Sequence, residues 1–589
     1  MRRPCILFAI ATLLLPCAIS AQQPAPDTIF FHGNILTGAG LSGAGLSGGP
    51  IDTPSARVSA LAIRDGRIVR GGDDSSILAL KGPHTELIDL DGHFAMPGFN
   101  DAHTHIAYAG QQRLSVDLDG TTSLSDMQSR IATYVAHATP GQWILGGGWD
   151  HTKWLSKTLP TRQDLDSVTA GHPALLVRTD GHIAVANSAA LEAAHITGST
   201  VAPVGSKIDL DSSGAPTGII REEAALDLIQ KVIPKPDAEV RRKALQLSID
   251  DALAHGVTSV QDFSDWDDFL ALEAMERDAG GTLPLRVSEW LTFNDPVDVL
   301  KQHQASHPAS DPYLHTGMLK GFMDGSLGSR TAALLAPYSD DPSNSGLPRY
   351  DQKQLDAMTT ERAAAGFPIG FHAIGDRANS MALTAFDHAQ TEQMKRLQSL
   401  LPQLQASTKM SITLSVTTRY RIEHAQVLAP KDFDRFAKLH VIASMQPSHL
   451  LTDMAWAGDR LGPERVKYAY AWRSFLDHHV TLAFGTDYPV ESISPFRGLY
   501  AAITRQNEVG TASFQPQERI TLNEALFAYT QGSAFAENAE KQKGRLEQGF
   551  FADLVVLDRD ITKATPQELL HARVLRTVVG GQTRYLARN

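Results

Sequence analysis

The two ends of the chain carry short alternating runs of hydrophobic and polar residues that predict β-strands. The runs cover residues 28–36, 57–69, 85–90, 544–558 and 574–585. Asp65 and Gly66 stand between two β-rich runs, and an Asp-Gly pair in that position is a strong signal for a hairpin. Because strands occur at both ends of a long chain, we expect one small β-sandwich with residues 26–95 and 541–589 as its two parts.

The middle of the chain alternates apolar, strand-like runs with helical patterns. The strand-like runs are residues 174–177, 258–260, 368–371, 441–444 and 481–484, and the helical patterns cover residues 238–255 and 355–365. This alternation favours an α/β fold with a parallel sheet, and residues 96–540 are long enough for a (β/α)8 barrel with insertions. Residues 122–261 exceed what one barrel unit needs, which predicts an inserted subdomain. The alternative is an open doubly wound sheet, although no G-x-G-x-x-G motif follows a strand and opens a helix.

The first 21 residues have the pattern of a secretory signal peptide rather than of a folded element. Arg2 and Arg3 give a basic start, residues 6–15 form an apolar run, and small residues follow. The alternative is an uncleaved membrane anchor, but the run is shorter than the roughly 20 apolar residues that span a bilayer. We therefore expect an exported protein, periplasmic or secreted, that is free of the membrane once residues 1–21 are removed.

The composition of the chain limits the classes of partner that it can bind and the residue types that can form a metal site. The chain has 42% hydrophobic and 20% charged residues, a formal net charge of -12 and a mean hydropathy of -0.17, which excludes predominantly disordered and multi-span membrane proteins. An acidic chain without long basic runs is a poor binder of nucleic acid, so we expect a small-molecule partner and leave open whether the chain forms a homo-oligomer. Both cysteines, Cys5 and Cys17, lie in the predicted signal peptide, so a metal site in the mature chain must use His, Asp, Glu or a modified Lys.

Two histidines form the first candidate metal-binding motif. His103 and His105 stand in the segment MPGFNDAHTHI. On an extended strand, residues two positions apart point to the same face, so both imidazoles can bind one metal ion. Two unrelated surface histidines would give the same pattern, and the motif alone does not separate these interpretations.

A lysine and an aspartate in the segment MLKGFMDGSLGSRTA form the second candidate. Lys320 lies near the end of an apolar stretch, before a glycine-rich turn. An ammonium group does not bind a metal, but a lysine carboxylated on Nζ presents a carboxylate that can bridge two ions. The alternative is a surface lysine. Asp324 is either a turn residue or a residue that faces the pocket.

Three further candidates each follow an apolar, strand-like run. They are His372 in IGFHAIGDRA, His424 in YRIEHAQ and Asp487 in TLAFGTDYPV. Imidazole nitrogen is a good ligand for zinc and comparable divalent ions. A lone histidine is also an ordinary structural residue, and an aspartate after Gly-Thr is also an ordinary cap. The place of Asp487 after the last of these runs makes it the candidate general base.

The candidates occur in a fixed order along the chain. That order is His103, His105, Lys320, His372, His424 and Asp487. It resembles the amidohydrolase superfamily, and the segments FMDGSLGSRTA, HAIGDRA, RIEHAQ and FGTDYPV resemble its family 3 branch, which includes N-substituted formamide deformylase-like proteins. The resemblance covers nearly the whole chain after the signal peptide. It implies a metal-dependent-hydrolase barrel of the (β/α)8 type, with its site at the C-terminal ends of the strands.

The resemblance also implies a set of metal ligands. By analogy, the first two histidines and Asp487 bind the more buried of two divalent ions, which we expect to be zinc. His372 and His424 bind the second ion, and Lys320, once carboxylated, bridges the two. Some members of the superfamily work with one metal and no bridging lysine, so a single ion is the alternative.

Two segments that resemble the same branch supply candidate substrate contacts. Trp149 in GGGWDH is either an apolar wall of the pocket or a core residue, and His182 in RTDGHIAVAN either hydrogen-bonds a substrate oxygen or caps a turn. Arg330, from the same segment as Lys320, is either an anion contact or one half of a surface ion pair.

We expect a metal-dependent hydrolase that cleaves a non-peptide carbon–nitrogen bond, in an amide or cyclic amide, with metal-activated water. A divalent ion lowers the pKa of its bound water from about 15.7 to roughly 7. Asp487 can then accept the proton and pass it to the leaving nitrogen. The alternatives are a single-metal deaminase or esterase of the same superfamily, which an unmodified Lys320 would favour, and a secreted binding protein without catalysis.

Overall fold

The computed structural model describes residues 24–41, 43, 57–178, 183–203, 206–221, 223–408 and 418–588. The predicted signal peptide, residues 1–21, and the candidate substrate contact His182 lie outside these ranges. None of the helices within the ranges combines the length and the hydrophobicity that crossing a bilayer requires.

Within these ranges, eight parallel strands form the central sheet, which we label β1–β8. Their bounds are Phe99–Thr104 (β1), Val257–Asp262 (β2), Arg286–Thr292 (β3), Leu314–Phe322 (β4), Ile369–Ala373 (β5), Tyr420–His424 (β6), Ile442–Met445 (β7) and Leu482–Phe484 (β8). Each strand pairs in parallel with the next one along the chain. This order is that of a (β/α)8 barrel, and the predicted fold class is confirmed.

The barrel closes between β8 and β1 through the segment that follows β8. The backbone N–H of Asp487 donates to the carbonyl of His103 at 2.8 Å, and the N–H of His105 donates to the carbonyl of Tyr488 at 2.8 Å. Closure therefore fixes the backbone of the last predicted ligand directly beside the first two.

Helices carry the chain from one barrel strand to the next. Helices Ile106–Arg113 and Ala238–Ala254 lie between β1 and β2, and the later connections contain Trp266–Asp278, Val297–Ser306, Gln352–Ala364, Asp376–Thr408, Asp432–Leu439, His449–Asp453, Ala457–Arg465 and Trp472–Asp477. Helices Pro495–Thr504, Leu522–Phe527 and Ser533–Ala536 follow β8. The helical patterns at residues 238–255 and 355–365 are confirmed, and Asp237 and Asp351 cap these two helices by accepting from backbone N–H groups of the first turn.

A second sheet, which we call the inserted sheet, interrupts the chain between β1 and β2. In the described part of this stretch its six strands are, in spatial order, Lys207–Leu210, Pro216–Arg221, Ile183–Ala186, Ala174–Arg178, Ile144–Trp149 and Val116–Asp117. The run at residues 174–177 therefore belongs to the inserted sheet and is not a barrel strand. The sequence alone does not distinguish the two, because a buried apolar strand has the same pattern in either sheet. The predicted range 122–261 also differs from the observed insertion, since helix Ala238–Ala254 and β2 are barrel elements.

Two further sheets lie in the described parts of the termini. One contains Arg67–Gly72, Ala60–Arg64, Thr28–Phe31 and Glu86–Asp89, and the other contains Gln582–Leu586, Val574–Val579, Leu554–Leu557, Phe94–Pro97, Asn34–Leu36 and Arg57–Val58. The predicted hairpin at Asp65 and Gly66 joins two antiparallel strands of the first sheet. Phe30 of the first sheet shares a buried cluster with Ile35 and Val578 of the second. The two sheets therefore pack as a small sandwich to which both ends of the chain contribute.

Candidate active site

The predicted metal ligands all lie at the carboxyl ends of the barrel strands. The positions are His103 in β1, His105 directly after it, Lys320 in β4, His372 in β5, His424 at the end of β6 and Asp487 after β8. TIM-barrel enzymes carry their active sites at this end of the barrel. The fold thus brings all six residues to one place, although their donor atoms do not form a single group.

His103, His105 and Asp487 form the first donor group. Asp487 Oδ1 lies 3.5 Å from His103 Nε2 and 3.2 Å from His105 Nε2, and the donor atoms of the three residues lie within 4.8 Å of one another. Two atoms bound to one ion at about 2.1 Å are roughly 3–3.6 Å apart, so this spacing fits three ligands of one metal ion.

The two histidine rings of the first donor group are oriented by acceptors on their far sides. His103 Nδ1 lies 2.8 Å from Glu423 Oε2, and His105 Nδ1 lies 2.8 Å from the carbonyl oxygen of Phe263. Arg421 in turn donates to both carboxylate oxygens of Glu423. An imidazole that donates from Nδ1 presents the lone pair of Nε2, and Nε2 is the nitrogen that faces the aspartate here.

His424, His449 and Asp487 form the second donor group, whose donor atoms also lie within 4.8 Å of one another. His449 Nε2 is 3.5 Å from Asp487 Oδ2, and the buried Nδ1 of His424 has no hydrogen-bond partner among the described residues. His372 packs against His424 with ring centroids 4.5 Å apart, but its Nε2 lies 3.1 Å from the carbonyl oxygen of Gly325. Asp487 therefore presents one oxygen to each donor group, and His372 stands beside the second group rather than in it.

Lys320 is buried at the centre of the site and is not a surface lysine. Its side chain lies among the rings of Trp290, Phe322 and Phe263, with Nζ at 5.1, 5.1 and 6.0 Å from the ring centroids. Nζ is 2.9 Å from His103 Nε2. Burial lowers the pKa of Lys320 to about 8. The lysine thus adjoins the first donor group, and its predicted role as a bridge between two ions stays a prediction.

Most of the candidate ligands have pKa shifts that favour the protonation state that binds a divalent metal. Burial lowers the pKa of His103 to about 4 and that of His372 to about 3, and it holds the pKa of His424 well below its usual range. Burial alone would raise the pKa of Asp487, but the neighbouring histidines, His103 first, hold it well below the usual range. The neutral imidazoles of His103, His372 and His424 can bind a metal without first losing a proton. At His105, by contrast, the neighbouring Asp487 outweighs burial and raises the pKa.

Two of the candidate ligands have backbone in the left-handed region. The φ angle is 70° at His424 and 60° at Asp487. Non-glycine residues in this region cost about 1–3 kcal/mol and persist where the surrounding structure over-determines them. Strain of this kind concentrates at functional sites. The unpartnered His424 Nδ1 and the donor spacing indicate that these residues fit a bound divalent ion.

The predicted substrate contacts fare differently from the metal ligands. Trp149 has no exposed surface, packs in the core of the inserted sheet and donates its indole N–H to the carbonyl of Leu176 at 2.9 Å, so it is a core residue and not a pocket wall. Arg330 donates to both oxygens of Asp340 at 3.1 and 2.9 Å, which is the ion-pair interpretation. His182 lies outside the described residues.

Asp324 holds the loop after β4 rather than joining either donor group. Its carboxylate accepts from the backbone N–H groups of Ala333, Ile374 and Gly375 at 2.8 to 3.0 Å. These bonds link the Gly-rich segment to the end of β5. The turn interpretation of Asp324 therefore fits the structure.

Two residues of the candidate site were not predicted from the sequence. His449 begins the short helix after β7, in the segment MQPSHLL, and Glu423 immediately precedes His424 in β6. A histidine after an apolar run is the same signal that pointed to His372, so His449 was within reach of the same reasoning. Nothing in the sequence pairs Glu423 with His103, because that contact depends on strands far apart in the chain.

Comparison with known proteins gives consistent results over nearly the whole chain. Residues 86–585 match the amidohydrolase family. Protein LONG AFTER FAR-RED 3 of Arabidopsis thaliana is 33% identical over 537 residues, which are 89% of this chain and 88% of the relative. The N-substituted formamide deformylase of Arthrobacter pascens is 27% identical over 560 residues, covering 91% of this chain and 96% of that one.

A solved structure agrees with the sequence match. The crystal structure of an uncharacterized metal-dependent hydrolase from Pyrococcus horikoshii OT3 superimposes with a TM-score of 0.72 at 29% identity, covering 92% of this chain and 98% of that chain. The matched region contains the barrel and all the candidate ligands, so the resemblance drawn from the motifs is confirmed. The chain belongs to the amidohydrolase family, in its family 3 branch, and is a hydrolase of the class that acts on carbon–nitrogen bonds.

Proposed function

We propose that this chain hydrolyses a non-peptide carbon–nitrogen bond, in a small amide or cyclic amide, with divalent metal held at the two donor groups. The observation that carries the proposal is the position of Asp487. One of its oxygens faces His103 and His105, and the other faces His449. A carboxylate shared in this way lies beside any water that the donor groups hold.

The chain's own residues supply orientation and proton transfer. A divalent ion, when bound, supplies a water of lowered pKa and polarises the substrate carbonyl. Asp487 stays ionised, so its carboxylate can accept a proton from the attacking water and return it to the leaving nitrogen. The hydrogen bond from its backbone N–H to His103 keeps that carboxylate in place during both transfers.

The class of substrate follows from the family and from one relative. The Arthrobacter pascens protein is named for an N-substituted formamide, which supports an amide bond as the target here. At 27% identity, this relative supports the kind of bond and not the substituent on nitrogen. In barrels of this type, the loops decide which substituent on the nitrogen the site accepts.

We further propose zinc as the metal and a carboxylated Lys320 as a bridge between two ions. Imidazole nitrogens outnumber carboxylates in the two donor groups, and this composition suits zinc. Lys320 Nζ already lies beside His103 Nε2. The single-ion deaminase or esterase remains the alternative function.

Metal content and turnover together test the proposal. We expect the chain without residues 1–21, purified with zinc and bicarbonate and without chelator, to hold two zinc ions and to hydrolyse at least one member of a panel of N-substituted formamides and cyclic amides. Lys320→Ala is expected to retain one ion. The control is Lys395→Ala, an exposed lysine paired with Glu392, which is expected to retain both ions.

The other outcomes decide between the alternatives. One ion per chain that Lys320→Ala leaves unchanged favours the single-metal deaminase or esterase. No uptake of zinc or manganese contradicts the hydrolytic mechanism and favours a binding protein without catalysis.

We also propose that the protein works outside the cytoplasm. The support is the pattern of residues 1–21, a basic start followed by an apolar run and small residues. N-terminal sequencing of the protein recovered from the periplasm or medium is expected to begin after the apolar run. Recovery only from the cytoplasm with Met1 or Arg2 still first contradicts the proposal.

A further inference from the structure

A second cluster of metal-binding side chains lies at the opposite end of the barrel from the candidate active site. Glu273 and Glu276 are in the last two turns of the helix Trp266–Asp278, which leads towards β3. His307 and Asp311 lie in the segment that leads into β4. We call these four residues the lower cluster, and neither donor group of the active site contains any of them.

The imidazole of His307 is buried and oriented like those of the active site. Its side chain is 6% exposed, and Nδ1 lies 3.1 Å from Glu273 Oε1. An imidazole that donates from Nδ1 to a carboxylate leaves a lone pair on Nε2. Nε2 has no hydrogen-bond partner among the described residues, and it faces the carboxylates of Glu276 and Asp311.

The distances around His307 Nε2 are too long for hydrogen bonds and suitable for a shared ion. Glu276 Oε2 lies 3.6 Å and Asp311 Oδ2 lies 3.7 Å from Nε2, and ligand atoms of the three residues lie within 4.8 Å of one another. A contact of about 3.6 Å is not a hydrogen bond. Two ligands of one ion at about 2.1 Å are roughly 3–3.4 Å apart at octahedral or tetrahedral angles, so an ion would draw these atoms a few tenths of an ångström closer.

The lower cluster carries more negative charge than its surroundings neutralise. Three carboxylates face one imidazole, and no Lys or Arg in the described part of the chain forms an ion pair with Glu273, Glu276 or Asp311. Burial, followed by the charge of Asp311, raises the pKa of Glu276 to about 7. Buried carboxylates brought together cost free energy unless a cation or protons lie between them.

We propose that the lower cluster is a structural divalent-cation site, with His307, Glu276 and Asp311 as ligands and Glu273 as the carboxylate that orients the histidine. Manganese suits this set, because it prefers carboxylate oxygen and also accepts imidazole nitrogen. The ion links the end of one connecting helix to the segment that starts β4. It stabilises the amino-terminal end of the barrel and takes no part in hydrolysis.

A manganese titration of a full-chain variant without the active-site ligands tests this proposal. The substitutions His103→Ala, His105→Ala, His424→Ala, His449→Ala and Asp487→Asn remove both donor groups of the active site and leave the lower cluster intact. The electron paramagnetic resonance signal of free Mn²⁺ measures binding, and we expect one bound equivalent per chain. Because both donor groups are gone, this result does not depend on the proposed function.

Two further substitutions in the same background locate the ion. Asp311→Asn keeps a carbonyl oxygen for the backbone N–H groups of Tyr313 and Leu314 but loses the charge, so we expect Mn²⁺ binding at least about tenfold weaker. The control is Asp278→Asn, on the same helix as Glu276, whose side chain is 50% exposed and paired with Arg242. It is expected to bind Mn²⁺ unchanged, and circular dichroism checks that each variant is folded.

Several results would overturn the proposal. One is the absence of bound Mn²⁺ at concentrations up to about 1 mM. Another is an Mn²⁺ affinity that Asp311→Asn leaves unchanged. If the background variant does not fold, crystals of the unsubstituted protein soaked in manganese give a second measurement. An anomalous difference peak between His307, Glu276 and Asp311 supports the site, and its absence overturns it.

Discussion

At both ends of the barrel a glutamate orients a histidine, but the two ends differ in the side chains that can bind a metal. At the carboxyl end, Glu423 orients His103 so that Nε2 faces the other ligands, and at the amino end Glu273 orients His307 in the same way. Imidazoles outnumber carboxylates in the active site, whereas carboxylates outnumber imidazoles in the lower cluster. This contrast teaches that one barrel can present two donor sets, each suited to a different class of ion.

The two ends also differ in backbone strain. His424 and Asp487 adopt left-handed backbone at the active site, whereas none of the four residues of the lower cluster, all of them described, has a positive φ. Strained backbone is costly and persists where function requires a fixed geometry. The difference fits a catalytic role for the carboxyl end and a stabilising role for the amino end.

The largest expected effect is on turnover, and it distinguishes a role of Asp487 in proton transfer from a role in metal binding. We expect Asp487→Asn to lower kcat about 10²- to 10⁴-fold, because an amide cannot accept the proton from water. The histidine ligands remain, so much of the zinc stays bound. Amine-release assays and metal analysis of the same sample measure both quantities.

Asp340→Asn is the matched control for this substitution. Asp340 belongs to a partly exposed ion pair with Arg330, so turnover should stay within about twofold of the unsubstituted protein. Near-normal turnover in Asp487→Asn would refute its role as the proton acceptor. Complete loss of zinc would show instead that its main role is to bind the metal.

The next effect concerns the residue that orients His103. We expect Glu423→Gln to weaken zinc binding or turnover about 10- to 100-fold, because the imidazole loses the carboxylate that fixes its tautomer. Manganese binding at the lower cluster should not change. Glu392→Gln, on an exposed helix face, is the control. Unchanged zinc affinity together with unchanged turnover in Glu423→Gln would show that the orientation of His103 does not depend on this contact.

A smaller effect is expected at the amino end, and on stability instead of turnover. A ligand present at 100 times its Kd stabilises the folded state by about 2.7 kcal/mol. In the background that lacks both donor groups, we expect manganese to raise the Tm of the background itself and of Asp278→Asn, and to leave the Tm of Asp311→Asn nearly unchanged. With the donor groups intact, turnover at 25 °C should be the same with Asp278→Asn, with Asp311→Asn and without either substitution. Equal Tm increases in all three, by calorimetry, would place the stabilising ion elsewhere.

The smallest effect tests how far the active site extends. Arg330 and Asp340 form a partly exposed ion pair, and such pairs contribute about 0–1 kcal/mol. We therefore expect Arg330→Ala to keep kcat and KM within about twofold. A large rise in KM with unchanged kcat would restore the interpretation of Arg330 as an anion contact.

Much of the barrel was predictable because the pattern that indicates each strand lies within a few consecutive residues. A short apolar run followed by one polar, chemistry-bearing residue occurs at β1, β5 and β6, and a parallel barrel brings such strand ends together whatever their separation in sequence. The pattern places His103 and His424 at strand ends, and the resemblance to the amidohydrolases is what joins them in one site. The terminal sandwich was predictable for a similar reason, from short alternating strands and one hairpin signal.

The remaining features depend on contacts that a single sequence does not contain. The strand at residues 174–177 has the apolar pattern of a barrel strand, and only its pairing with the strand Ile144–Trp149 places it in the inserted sheet. Trp149 is a core residue because that sheet covers it. The lower cluster joins a helix to a distant loop, so Glu276 and Asp311 carry no shared motif.

The most direct test is an anomalous difference map at the zinc absorption edge, from crystals grown with zinc and bicarbonate. We expect a strong peak bounded by His103, His105 and Asp487, at the carboxyl ends of the strands. A zinc-loaded crystal with no peak within bonding distance of these three residues would contradict the assignment of this site as the metal centre of a hydrolase.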